Sequence, residues 1–214
     1  MNIQTFKQLP ILGILRGITL DAIKPIADVS MNTGLNAIEI TMNTEDAPKL
    51  IETMRNHCGE KMSVGAGTVT SFEILKKAIN AGAEFIVMPI INTTVMEYCT
   101  DQKIPVFPGA LTPNEIFKAW NLGASMVKVF PASVFGPSYF KEIKAPMNNI
   151  ELLACGGVSE KTIGEYFKNG ASAAAFGASI YKKEWMDSNK YELIEKELQL
   201  LIQAYENWKK SSKS

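Results

Sequence analysis

No stretch of this chain is apolar for long enough to cross a bilayer; its hydrophobic runs are short and interrupted. It has no excess of either charge, with 22 Lys+Arg against 22 Asp+Glu in 214 residues. A neutral chain without a basic stripe argues against nucleic acid as the main partner. The opening "MNIQTFKQLP" lacks the charged-then-apolar pattern of a signal peptide. The three cysteines, Cys58, Cys99 and Cys155, are odd in number, far apart and without CxxC spacing, which excludes a disulfide or zinc framework and suits a reducing cytoplasm. His57 is the only histidine, so a Ser-His-Asp or His-metal site would have to use it. It lies in "MRNHCGEK", a helix end beside a glycine, and reads as a surface or capping residue, since cations suit helix C-termini. The first turn, "LRGITLDA", is not GxGxxG, so an open doubly wound sheet lacks its dinucleotide fingerprint.

What the chain does have is a rhythm. Hydrophobic residues make up 46%, enough for a large core. "NTGLNAIEI", "NAGAEFIVM", "NLGASMVKV" and "NGASAAAFG" each carry a glycine, a few small or polar residues, then a strand-like run. The glycines, Gly34, Gly82, Gly123 and Gly170, stand where a helix C-cap is expected. Their spacings, 48, 41 and 47 residues, each accommodate two β/α units of ordinary size. Eight runs result: "ILGIL" (11–15), "AIEIT" (37–41), "MSVGAG" (62–67), "EFIVMP" (84–89), "IPVFPG" (104–109), "MVKVFP" (126–131), "IELLACGG" (150–157) and "SAAAFG" (172–177). Capping patterns follow several of them, "TLDAI", "TSFEIL", "TPNEIF" and "SEKTI". Strands this apolar, alternating with helices, predict a parallel sheet covered on its outer face, and eight units predict an α/β fold of the (β/α)8 TIM-barrel type. Residues 1–9 read as a short extra helix, 188–209 as the closing helix, and "KKSSKS" as a disordered tail. No linker interrupts the pattern, so residues 1–214 read as one barrel domain.

Active sites of such barrels are built at the C-terminal ends of the strands. The residues expected there are Arg16 after the first run, Glu39 and Thr41 in the second, Thr68 after the third, Pro89 after the fourth, "FPG" after the fifth and Lys128 in the sixth. Gly156-Gly157 follow the seventh, and Gly177-Ala178-Ser179 the eighth. Arg16 alone would pass as a solvated charge. Glu39 between two isoleucines, and Lys128 between Val127 and Val129, are harder to dismiss, because a strand covered by helices is dry on both faces. A purely structural ion pair between them rarely repays its desolvation. A lysine kept as a neutral amine by a low-dielectric interior and a nearby Arg16 attacks carbonyls, and a neighbouring carboxylate moves the protons of imine formation. The glycine-rich ends of the last two runs suit a phosphate held on backbone N–H groups, with the Ser179 hydroxyl added.

At this point the sequence resembles the 2-keto-3-deoxy-6-phosphogluconate aldolase family, class I aldolases that include the phosphogalactonate and 4-hydroxy-2-oxoglutarate enzymes. The resemblance runs from "PILGILRGIT" to "FGASIY" and rests on "AIEITMNT", "VGAGTV", "VKVFPA" and "CGGVS" in family order and spacing, most tellingly on "VKVFPASVFGPSYFKEIKA". It implies Lys128 as the Schiff-base lysine and Glu39 as general acid/base. Arg16 and Thr68 would contact the pyruvate half, with Pro89 shaping that pocket. Gly157, Gly177, Ala178 and Ser179 would hold the phosphate. It further implies a homotrimer, no metal and no cofactor, and a reaction releasing pyruvate and glyceraldehyde 3-phosphate from a phosphosugar acid. Cys155 stands where many phosphogluconate enzymes have Thr, and Asn43 where many have Arg. "LRGIT", "TMNT", "VFPG" and "ASVFGPSY" look closer to the phosphogalactonate branch. By itself Cys155 reads as a small buried hydrophobe. The alternatives are hydroxy-oxoglutarate cleavage, an isomerase or epimerase barrel using Glu39 without an imine, and a non-catalytic phosphosugar-binding protein.

Overall fold

A computed structural model describes residues 1–212. Among the described residues, nine strand segments, all paired in parallel, form a single sheet. We number the strands β1 (Ile11–Leu15), β2 (Ala37–Thr41), β3 (Ser63–Gly67), β4 (Ile86–Val87), β5 (Val106–Phe107 with Gly109–Ala110), β6 (Val127–Val129), β7 (Leu152–Cys155) and β8 (Ala173–Phe176). The interruption in β5 is Pro108, which has no N–H to donate. The chain is nevertheless one stave: the carbonyls of Pro105 and Phe107 accept from Ile86 and Met88 on the β4 side, while those of Val106, Pro108 and Ala110 accept from Ser125, Lys128 and Phe130 on the β6 side. Through it the two edges of the sheet meet, and the barrel closes on eight staves.

The helices are α1 (Ile3–Phe6), α2 (Leu20–Asn32), α3 (Ala47–Cys58), α4 (Phe72–Asn80), α5 (Thr93–Asp101), α6 (Pro113–Asn121), α7 (Ser138–Lys144), α8 (Ile163–Lys168), α9 (Lys183–Asp187) and α10 (Tyr191–Ser211). The four rhythm glycines all adopt left-handed φ, +84°, +87°, +89° and +99° in chain order, as helix-ending glycines must. "TPNEIF" forms a full capping box, in which the Thr112 hydroxyl accepts from the Glu115 N–H and the Glu115 carboxylate from the Thr112 N–H. The N-cap in "TSFEIL" is Ser71, and Thr19 occupies the N-cap position of α2 without a side-chain bond. His57 pairs with Asp28 at 2.6 Å, joining α3 to α2. Of the eight expected runs only β1 and β2 keep their bounds, and the terminal helices differ as well. The extra helix is only Ile3–Phe6, the closing helix begins at Tyr191, and Lys209–Ser211 are helical rather than disordered. Lys209 Nζ donates to the Gln8 carbonyl, which ties down that last turn. Lys213 and Ser214 lie outside the described residues. No helix among the described residues is long and apolar enough to cross a membrane.

Side chains alternate across the barrel wall. Ile11, Leu15, Ile38, Ile40, Val64, Val127, Val129 and Leu152 pack outward under the helices. Leu12, Ala37, Phe85, Val87, Phe107, Met126, Leu153, Ala173 and Ala175 fill the interior, with Phe6 of α1 among them. Stepping two residues along each strand keeps the same face but changes the chemistry: Ala37 gives way to Glu39, Met126 to Lys128, Leu153 to Cys155 and Phe107 to Gly109. The interior thus turns from aromatic and aliphatic to polar and small at its C-terminal mouth.

Candidate active site

Glu39 and Lys128 are both buried, 1% and 7% exposed, on strands that face each other across the interior. Local sequence explains why each is held there: Ile38 and Ile40 on one strand, and Val127 and Val129 on the other, occupy the outward face and fix the register. Room for the Glu39 carboxylate comes from Gly67 on the neighbouring strand, where a Cβ would stand 2.4 Å from Oε1. Burial pushes the Glu39 carboxyl above the usual carboxylate range, and the positive charges of Lys128 and Arg16 partly offset that. Among the described residues, Glu39 Oε2 is buried without a hydrogen-bond partner. An unpaired buried acceptor of this kind costs about 1–3 kcal/mol.

Lys128 Nζ lies 5.2 Å from the Phe130 ring centroid. Cys155 is in the same cluster: burial raises its thiol pKa, Lys128 opposes that by charge and hydrogen bonding, and Glu39 adds to it. Cys155 is a small buried residue of the interior cluster, as its sequence suggests, and Lys128 and Glu39 stand near its thiol. Arg16 stands exposed at the rim, its Nη1 donating to Asn43 Oδ1 at 3.2 Å. Thr68 has φ +57°, a genuine outlier for a β-branched residue. Ladder bonds on either side, Met42 N–H to the Gly67 carbonyl and Val69 N–H to the Val87 carbonyl, hold it there. Such strain, worth about 1–3 kcal/mol, collects at functional sites. Pro89 closes against β5, since a Cβ on Gly109 would fall 2.3 Å from the Pro89 carbonyl oxygen. A cleft of about 340 Å³ opens beside Pro89, Gly109 and Phe130.

The second group gathers on the loops after β7 and β8. Gly156 and Gly157 have φ +104° and +74°, and a Cβ on Gly157 would meet that of Ser133 at 2.9 Å. Ser179 Oγ donates to the Val158 carbonyl at 3.3 Å, pinning the two loops together. The Gly177 carbonyl accepts from the Ile180 and Tyr181 N–H groups, which curls Gly177-Ala178-Ser179 into a turn. Glu39 and Lys128 lie within β2 and β6, and the other seven expected site residues follow strand C-termini. Sequence reasoning missed Gly67 and Thr44. Thr44 is buried, and its hydroxyl accepts from the Gly17 N–H at 3.0 Å.

Comparison with known proteins gives this site a context. A family model described as "Aldolase: KDPG and KHG aldolase" matches residues 3–197. The 2-dehydro-3-deoxy-6-phosphogalactonate aldolase of Escherichia coli (strain K12) is 33% identical over 176 residues, 82% of this chain and 86% of that one. The 2-dehydro-3-deoxy-phosphogluconate aldolase of Haemophilus influenzae (strain ATCC 51907 / DSM 11121 / KW20 / Rd) is 30% identical over 193 residues, 90% of this chain and 91% of that one. A solved structure described as native KDPGal superposes with a TM-score of 0.89 at 30% identity, covering 95% of this chain and 97% of that one. Barrel and matches together define an aldolase, a carbon–carbon lyase. Within that class, the chain belongs to the KDPG and KHG aldolase family.

Proposed function

We propose that this protein is a class I aldolase that cleaves 2-keto-3-deoxy-6-phosphogalactonate or its phosphogluconate epimer to pyruvate and glyceraldehyde 3-phosphate. The observation that carries the reading is the buried Lys128 facing a buried Glu39 with a free carboxylate oxygen. Lys128 Nζ attacks the C2 ketone, and Glu39 moves the protons as the carbinolamine loses water to give the iminium. Glu39 then takes the C4 hydroxyl proton, and the C3–C4 electrons flow into the iminium as the aldehyde leaves. Protonation of the enamine at C3 and hydrolysis of the imine release pyruvate and restore the amine. Acid/base help of this kind contributes about 10²–10⁴ in rate. Arg16 and Thr68 receive the pyruvate carboxylate, Pro89 walls its methyl side, and Gly157, Gly177, Ala178 and Ser179 receive the phosphate. The scheme runs on protein groups and takes neither metal nor cofactor. Hydroxy-oxoglutarate cleavage is the second reading, favoured by the family description, which names KHG beside KDPG.

The chain acts as one barrel domain in the cytoplasm and assembles as a homotrimer. Exposed Ile90, Phe117, Val134 and Phe135 support self-association. Light scattering returning three chain masses checks that assembly, and a monomer overturns it. Borohydride reduction in the presence of pyruvate tests the chemistry. A stable adduct on Lys128, absent from Lys128→Ala, is expected. No adduct in the parent protein would favour an isomerase or epimerase using Glu39 alone. Rates with the phosphogalactonate, phosphogluconate and hydroxy-oxoglutarate substrates, measured side by side, rank the three.

A further inference from the structure

The turn after β2, "TMNT", reaches across to the loop after β1 and grips it at two points. Thr44 Oγ1 accepts from the Gly17 N–H at 3.0 Å, and Asn43 Oδ1 accepts from Arg16 Nη1 at 3.2 Å. The turn is itself well anchored. Thr44 Oγ1 is 3.0 Å from Thr41 Oγ1, the Thr44 N–H donates to the Thr41 carbonyl at 2.9 Å, and the Met42 N–H donates to the Gly67 carbonyl at 2.7 Å. Thr41 and Thr44 are 0% and 7% exposed. Gly17 has φ +64°, and among the described residues a Cβ there would meet nothing within 4 Å. The Thr44 hydroxyl holds its N–H. A buried hydroxyl pair is costly unless it is bonded, and here its bonds go to the residue next to Arg16. An exposed arginine loses side-chain entropy when it is ordered, and a fixed backbone with a preset acceptor lowers that cost on ligand binding.

We infer that Thr44 and Asn43 are positioning residues that preset Arg16, backbone through Gly17 and guanidinium through Asn43, to receive the carboxylate of the 2-keto acid. The inference rests on the function proposed above, and deepens it by assigning carboxylate affinity to a turn that touches Arg16 rather than the reacting carbons.

The experiment is borohydride trapping on the full-length protein, titrating pyruvate against its uncharged methyl ester, with turnover followed in parallel. Thr44→Val keeps the shape of the side chain and removes the hydroxyl. The pyruvate concentration for half-maximal trapping should rise about 3- to 10-fold, the effect of one lost hydrogen bond. The ester titration and the limiting rate should stay put. Thr44→Ser should restore the parent value. Asn43→Ala, at an exposed position that does not threaten folding, should shift pyruvate in the same direction by a smaller factor. On an Arg16→Ala background neither change should add anything, because residues acting through one group are not additive. Equal shifts for pyruvate and ester, or full additivity with Arg16→Ala, would make the turn a merely structural element and overturn the inference while leaving the aldolase reading intact. Failure of the parent protein to trap pyruvate at all would overturn both.

Discussion

The two ends of the barrel interior are built from the same eight strands and could hardly differ more. At the N-terminal end Phe85 and Phe107 meet edge to face at 5.9 Å, and Phe6 of α1 packs on Phe107 at 6.1 Å. The Phe85 ring takes the space over Gly65, where a Cβ would lie 2.4 Å from it. Two residues further along the same strands, glycine space is given to a carboxylate instead, at Gly67, and Lys128 and Cys155 line the wall. One end spends its volume on ring packing, which stabilises. The other leaves a buried acceptor unpaired and a threonine at positive φ, which destabilises and leaves room for a substrate. The contrast teaches that stability and chemistry are separated by little more than one step of the strand period, about 7 Å along the chain.

Substitutions at the two ends should therefore fail in different ways. Glu39→Gln should slow aldol cleavage by at least about 10²-fold while the protein remains folded, the loss expected of a general acid/base. Gly67→Ala should approach that loss by pushing the carboxylate aside. Steady-state rates with thermal melting of the same samples check both, and a loss of only a few-fold for Glu39→Gln would make it structural. Phe85→Ala should do the reverse, lowering the unfolding free energy by about 3–5 kcal/mol. The rate per folded molecule should hold, as urea unfolding combined with active-site trapping would show. A comparable loss of intrinsic rate would erase the distinction between the ends. The smallest effect sharpens the electrostatics. In the proposed mechanism Glu39 must be a carboxylate to take the C4 proton, so activity should fall as pH drops through its pKa. Burial raises that pKa and Arg16 lowers it. The acid limb of the limiting rate should thus lie above the ordinary glutamate value of about 4.3. Arg16→Gln should move the limb to still higher pH at saturating substrate, and an unmoved limb would disconnect Arg16 from Glu39.

The periodic parts of this protein are legible in its sequence. Gly34, Gly82, Gly123 and Gly170 end helices because a left-handed residue suits glycine, and that is a property of the local chain. β1 and β2 appear with the boundaries read from their apolar runs. Lys128 and Glu39 stood out because a charge inside an apolar run conflicts with its neighbours, and this too is local. α10 outran its expected end because Lys209 reaches Gln8, a contact across 201 residues that no local pattern announces.

Backbone preference and hydrophobic period are written into short windows of residues, so the strands, their caps and the two odd charges follow from the chain alone. Which face of Gly67 a carboxylate occupies, what the Cys155 thiol touches, and that Thr44 holds the peptide after Arg16 depend on closure of the barrel. Closure sets residues from distant strands side by side, and only there do desolvation, charge and hydrogen bonding act on them together.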